Sequence, residues 1–144
     1  MERILIVEDD SSLSQVLQIY LERKGYLVSC TPTSEHALKW LEGLDKPDLV
    51  IVDIGLPDMD GLQLCKKIKT GLNTRKIPVI ILTGRTDNAS RMQAGLDSSA
   101  NLYLNKPIEF EDLHQAIKSL IKKYKEERSM LKNIYAKKFD IPKK

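Results

Sequence analysis

Acidic, hydroxyl and ammonium side chains stand at four points where an apolar run stops. Glu8-Asp9-Asp10 follows Arg3-Ile4-Leu5-Ile6-Val7, and Asp53 ends Asp48-Leu49-Val50-Ile51-Val52. Thr83 follows Ile77-Pro78-Val79-Ile80-Ile81-Leu82, and Lys106-Pro107 comes directly after Asn101 to Asn105. Carboxylates gathered in one place repel and hold on to protons unless a cation shares the site. A hard divalent cation such as Mg2+ meets that need with oxygen ligands. Glu8, Asp9 and Asp53 sum to −3; Mg2+ and Lys106 bring the total to zero, a pocket able to take a phosphoryl group. Asp53 is then the candidate nucleophile, since a carboxylate can attack phosphorus and form an acyl phosphate. The metal and Lys106 would neutralise the equatorial oxygens, and Thr83 would donate to one of them. Singly, each residue has a plainer explanation. Acids suit the start of a helix, a threonine at a strand end makes a local turn, and a lysine is usually solvated. Their convergence outweighs those explanations. Pro107 raises the option of a cis peptide that aims Lys106 inward.

Such a convergence requires parallel strands that end on one edge. The apolar runs at 3–7, 48–53 and 77–82 read as strands buried on both faces, with shorter strands at Tyr26 to Thr31 and Asn101 to Leu104. Between them lie helical spacings. Leu13, Val16, Leu17, Tyr20 and Leu21 follow possible caps at Ser11 and Ser12 and stop at Gly25. Ala37, Leu38, Leu41 and Leu44 follow Thr33 or Ser34. Leu62, Leu64, Cys65 and Ile68 follow a turn rich in Gly, Pro and Asp, in which Gly55, Pro57 and Gly61 hold Asp53 in a shaped loop. A weaker helix spans about Arg91 to Asp97, and the last starts near Glu109 with Leu113, Ala116, Ile117, Leu120 and Ile121. Five strand–helix alternations predict an α/β domain, a five-stranded parallel sheet with helices on both faces.

Composition sets the outer bounds. The chain has 144 residues, 42% hydrophobic and 30% charged, which is enough for one domain with its own core. Its apolar runs are too short to span a bilayer, and acids at positions 8–10 leave no room for a signal-peptide core. Cys30 and Cys65 lack metal-type spacing and read as incidental reduced thiols of a cytoplasmic protein. The net charge of +3 is uneven: residues 1–121 carry 14 basic and 17 acidic residues, and residues 122–144 carry nine and three. The basic tail, which carries Tyr124, Tyr135 and Phe139 among its lysines, reads as a solvated helix face in preference to a nucleic-acid platform.

Glu8-Asp9, Asp53, Thr83 and Lys106-Pro107 on five βα units together resemble the receiver domain of bacterial two-component response regulators, the chemotaxis type included. The match covers residues 2–122. It is carried by Ile4 to Asp10, by Asp53-Ile54-Gly55-Leu56-Pro57-Asp58-Met59-Asp60-Gly61 and by Leu102-Tyr103-Leu104-Asn105-Lys106-Pro107. The resemblance implies a flavodoxin-like strand order of 2-1-3-4-5. It implies that Asp53 accepts a phosphoryl group from a sensor histidine kinase or phosphotransfer protein. It also implies Mg2+ held by Asp9, Asp53 and the carbonyl of Gly55, with Glu8 acting through water. Thr83 and Tyr103 are implied as switch residues and Lys106 as the partner of the phosphoryl group. Output is implied through the fourth predicted helix, the fifth strand and the last helix, toward a downstream protein, an output domain or a homodimer. The domain itself is implied to make no direct nucleic-acid contact. Gly55 and Arg85, flanking the path of attacking water, depart from the commonest family pattern, as do Ser99 and Ile108. The expected role is a signalling switch that catalyses only its own phosphorylation and dephosphorylation.

Three other functions fit less well. A phosphohydrolase of the haloacid dehalogenase type needs an acid where Gly55 stands. A flavin or nucleotide site needs a Gly- or Ser/Thr-rich loop in place of Glu8-Asp9-Asp10. A pure scaffold does not need every reactive group. Residues 123–144 read as a basic helical extension or linker. A rough heptad runs through Leu113, Ile117, Leu120, Tyr124, Leu131 and Ile134, with Glu127 interrupting it and Pro142 limiting it. A dimerising or linker helix and an exposed basic extension fit this tail equally, as do a stand-alone domain and a piece of a larger regulator.

Overall fold

The apolar runs flanking the candidate site become neighbours in one parallel sheet. The computed structural model describes residues 1–84 and 100–139. Its strands are β1 (Arg3–Val7), β2 (Leu27–Thr31), β3 (Leu49–Asp53), β4 (Val79–Thr83) and β5 (Leu102–Asn105), ordered β2-β1-β3-β4-β5. The described helices are α1 (Ser11–Arg23), α2 (Ser34–Glu42), α3 (Gly61–Thr70) and α4 (Phe110–Phe139). This is the expected flavodoxin-like α/β architecture. The helix expected around Arg91 to Asp97, with Arg85 and Ser99, lies outside the described residues.

Alternation along each strand sends successive side chains to opposite faces, so the sheet carries two apolar layers. Leu5, Val7, Val50, Val52, Val79 and Ile81 pack against α2 and α3 through Ala37, Leu41, Leu64, Cys65 and Ile68. Ile4, Ile6, Leu49, Ile51, Ile80 and Leu82 pack against α1 and α4 through Leu17, Leu21, Leu113, Ile117 and Ile121. β3 and β4 are buried along their whole length, whereas the edge strand β5 is only partly covered. Burying this much branched aliphatic surface on both faces makes the central strands the stiffest part of the molecule.

Three local expectations are corrected. The cap of α1 is Asp10, not Ser11 or Ser12; its carboxylate accepts the Ser12 and Leu13 amides at 3.0 and 3.2 Å. The buried stripe of α1 is the narrow 17–21 row, with Leu13 at its edge, so Val16 stays 49% exposed. Gly43 ends α2 before Leu44, which is fully exposed in the following loop. Gly25 closes α1 at φ 99°, a conformation that suits glycine.

Helix α4 has 30 residues and is about 45 Å long at 1.5 Å per residue. Ile121 is buried and Tyr124 half-buried; beyond them Met130, Leu131, Ile134 and Tyr135 are exposed. Lys125 pins the first turn of this extension by an ion pair with Glu2, Nζ to Oε2 2.8 Å. Among the described residues no helix is long and apolar enough to cross a membrane.

Candidate functional site

Strand ends and tight turns bring the acids together. Glu8 follows β1 and its amide donates to the Thr31 carbonyl of β2 at 3.0 Å, fixing its direction. The acidic triplet then divides. Asp10 turns back to cap α1, while Glu8 and Asp9 meet Asp53. One carboxylate oxygen each from Glu8, Asp9 and Asp53 lies within 4.8 Å of the others. Glu8 and Asp53 are buried, 3% and 6% exposed, and Asp9 is exposed on the solvent side.

The loop after Asp53 is held from two directions. Gly61, first residue of α3, donates its amide to the Ile54 carbonyl at 2.9 Å. A Cβ there would run into the Asp53 carbonyl oxygen and come within 2.7 Å of Ile54 Cα, so only glycine lets α3 approach this closely. Asp60 caps α3 through the Leu62 amide at 2.8 Å. Asp58 reaches across to the start of α2, accepting the Ser34 and Glu35 amides at 3.1 and 3.0 Å. Its slight burial works against ionisation, but these donors prevail and hold the carboxyl below its ordinary pKa. A Cβ at Gly55 would sit 3.7 Å from Asp53 Oδ2, so that position borders the carboxylate directly.

Lys106 enters from the far side. Its amide donates to the Thr83 carbonyl at 2.7 Å, and the Lys106–Pro107 peptide is cis, the option raised by the sequence. Its Nζ lies 3.0 Å from Asp53 Oδ1 and 3.3 Å from Glu8 Oε2. Glu8 Oε1 accepts the Asp10 amide at 3.1 Å. Burial, with the Asp53 charge added, raises the Glu8 pKa despite the Asp10 amide and Lys106. For Lys106, burial lowers the pKa, but the hydrogen bond to Asp53 and the charges of Glu8 and Asp53 prevail and raise it. Three carboxylates facing one ammonium leave a net charge of −2 in an oxygen-only donor set. Such a pocket fits a hard divalent cation.

Thr83 and Tyr103 lie on the neighbouring strands β4 and β5. Thr83 ends β4 next to the end of β3 and is 1% exposed, but its hydroxyl donates to Asn105 Oδ1 at 2.7 Å. Tyr103 is half-buried on β5, opposite Ile81, and packs against the layer under α2 and α3. Asn105 was not singled out from the sequence. Its place immediately before Lys106 is the one signal that could have found it. Trp40 lines a cleft with Arg3, Leu27 and Pro47 at the amino end of the sheet, remote from Asp53.

A parallel sheet in this order, with acids at the ends of β1 and β3 and a lysine after β5, is the arrangement of receiver-type signalling domains. The chain belongs to the response regulator receiver domain family, which it matches over residues 4–118. It is 32% identical over 123 residues to the transcriptional regulatory protein AfsQ1 of Streptomyces coelicolor, covering 85% of this chain and 52% of that protein. The chain thus spans about half the length of the curated relatives it matches. A solved CheY-like receiver domain protein from Methanospirillum hungatei superposes with a TM-score of 0.81 and 30% identity, covering 88% of this chain and 98% of its own. The Mn(2+)-bound form of response regulator Rcp1 superposes with a TM-score of 0.69 and 26% identity, covering 83% and 91%.

Proposed function

We propose that this receiver domain is an aspartyl-phosphate switch in which Asp53 takes a phosphoryl group from a phosphohistidine of a sensor histidine kinase or phosphotransfer protein. An Asp53 carboxylate oxygen attacks phosphorus, the P–N bond breaks, and the imidazole leaves with the bonding pair and takes up a proton. Hydrolysis by water returns the carboxylate and inorganic phosphate. Asp9, Asp53 and the Gly55 carbonyl would hold Mg2+, with Glu8 acting through water. When bound, the cation would supply charge neutralisation at the phosphoryl oxygens. Lys106 supplies the second positive charge, already directed at Asp53. The low polarity around β3 strengthens that interaction.

The observation that carries this reading is the buried Asp53 carboxylate, 3.0 Å from Lys106 Nζ and grouped with two further acids within 4.8 Å. The metal-bound state of Rcp1 supports a divalent cation in a fold of this kind. In this reading Thr83 moves toward the phosphoryl group, Tyr103 follows, and β5 with its flanking helices presents the changed surface to a downstream protein, an output domain or a second copy. The receiver unit is residues 1–122, and residues 123–144 form a basic extension or linker. The domain works in the cytoplasm as a signalling module without an external product.

Intact mass after incubation with acetyl phosphate and Mg2+ tests the proposal. The expected result is one phosphoryl adduct that disappears with a chelator or with Asp53→Asn. Absence of an adduct, with beryllofluoride also leaving the spectrum unchanged, would favour a scaffold.

A further inference from the structure

The hydroxyl on which the switch depends already has a partner. A threonine hydroxyl carries a single proton, and Thr83 gives it to Asn105 Oδ1 at 2.7 Å. The Leu104 carbonyl, at 3.4 Å, is a poor second acceptor. Thr83 and Asn105 are register partners on β4 and β5, so the strand pairing itself sets the two side chains beside each other. Thr83 is buried, whereas Asn105 is exposed at the end of an edge strand. The bond therefore joins the interior of the site to its most accessible strand.

We infer that Asn105 is a positioning residue that holds the Thr83 hydroxyl away from Asp53 and so sets the threshold for switching. The inference rests on the phosphoacceptor reading of Asp53. A proton given to Asn105 is not available to a phosphoryl oxygen on Asp53. A charged phosphoryl oxygen is the stronger acceptor, so phosphorylation wins the competition, but against the cost of one neutral hydrogen bond. Breaking that bond releases the carboxamide of β5, next to Lys106 and two residues from Tyr103. The same event that occupies Asp53 therefore loosens the edge strand. Lys106 stays on β4 through its own amide and does not depend on Asn105.

The test is a double-mutant cycle read by titration of the full chain with beryllofluoride in the presence of Mg2+. Asn105→Ala, and Asn105→Leu as a shape-conserving second variant, are expected to bind about threefold to tenfold tighter than wild type, the worth of one net hydrogen bond. In a Thr83→Ala background the same substitutions are expected to change affinity by less than about twofold, since the acceptor has no hydroxyl to hold. A readout independent of metal is the Thr83 methyl resonance of the metal-free protein, which should shift in both Asn105 variants. Equal effects with and without the Thr83 hydroxyl, or unchanged affinity and an unmoved methyl resonance, would overturn the role of Asn105 alone. Failure of wild type itself to bind beryllofluoride would overturn the phosphoacceptor reading and this role with it.

Discussion

The two halves of the carboxyl edge are built differently. At the ends of β1 and β3, Glu8 and Asp53 are buried, and their surroundings are fixed by backbone contacts such as the Gly61 amide on the Ile54 carbonyl. At the ends of β4 and β5, a buried threonine is tied to an exposed asparagine by one side-chain hydrogen bond, on a strand that is only partly covered. Groups that must hold a fixed geometry for chemistry sit where movement is expensive. Groups that must respond sit where one neutral bond can be exchanged for another at a cost near 1 kcal/mol. In the proposed reading, reaction centres on β1 and β3, and the response runs from Thr83 on the equally buried β4 to the partly covered edge strand β5.

The strongest break in this contrast removes the chemistry itself. Asp53→Asn should reduce phosphoryl uptake from acetyl phosphate to background by intact mass, with the fold retained by circular dichroism. Lys106→Ala should slow uptake by about two to three orders of magnitude, as expected for loss of a donor aimed at developing charge. The same variant also carries a pH signature. The raised Lys106 pKa means that its stabilising contribution is full below the ordinary lysine value and is lost as pH rises through the raised one. Lys106→Ala should therefore flatten the alkaline fall in stability, measured by thermal unfolding across pH.

Gly61→Ala probes stiffness more than chemistry. The new methyl meets backbone of Asp53 and Ile54 that cannot rotate away, so stability should drop by about 1–3 kcal/mol in denaturant unfolding, with weaker Mg2+ binding. Glu8→Gln gives the smallest effect and the opposite sign. Because burial raises the Glu8 pKa, metal-free stability is greatest below the ordinary glutamate value and falls as pH rises through the raised one. Glutamine removes that fall. It should raise the metal-free Tm at neutral pH, by about 3–4 °C for each kcal/mol in a chain of this length, while weakening Mg2+ affinity.

The strands were legible on both halves of the edge. An apolar run names both a strand and what its end presents, so all five strands emerged within about two residues, with Glu8, Asp9, Asp53 and Lys106 brought together at their ends. Features that depend on pairing between distant residues did not emerge. Thr33 caps α2 as expected, but Asp58 also accepts amides at the start of that helix, across 24 residues of chain for Ser34, a bond that no local spacing encodes. The Asp10 cap of α1 is local by contrast, and fits the plainer explanation that acids suit a helix start. In the sequence Asn105 is only part of the run ending in Lys106-Pro107, and it is strand register that sets it opposite Thr83. Val16 and Leu44 show the limit of periodicity, which marks apolar positions but not how wide a stripe the neighbouring sheet covers.

The division between a stiff reacting pocket and a yielding responsive edge is tested most directly by NMR of the full chain, metal-free and saturated with Mg2+ and beryllofluoride. Thr83, Tyr103 and Asn105 are expected to shift as strongly as residues 8–10 and 53–55, with exchange broadening concentrated on β5. Shifts confined to the acidic pocket, with the Thr83 methyl and the Asn105 carboxamide unchanged, would contradict it.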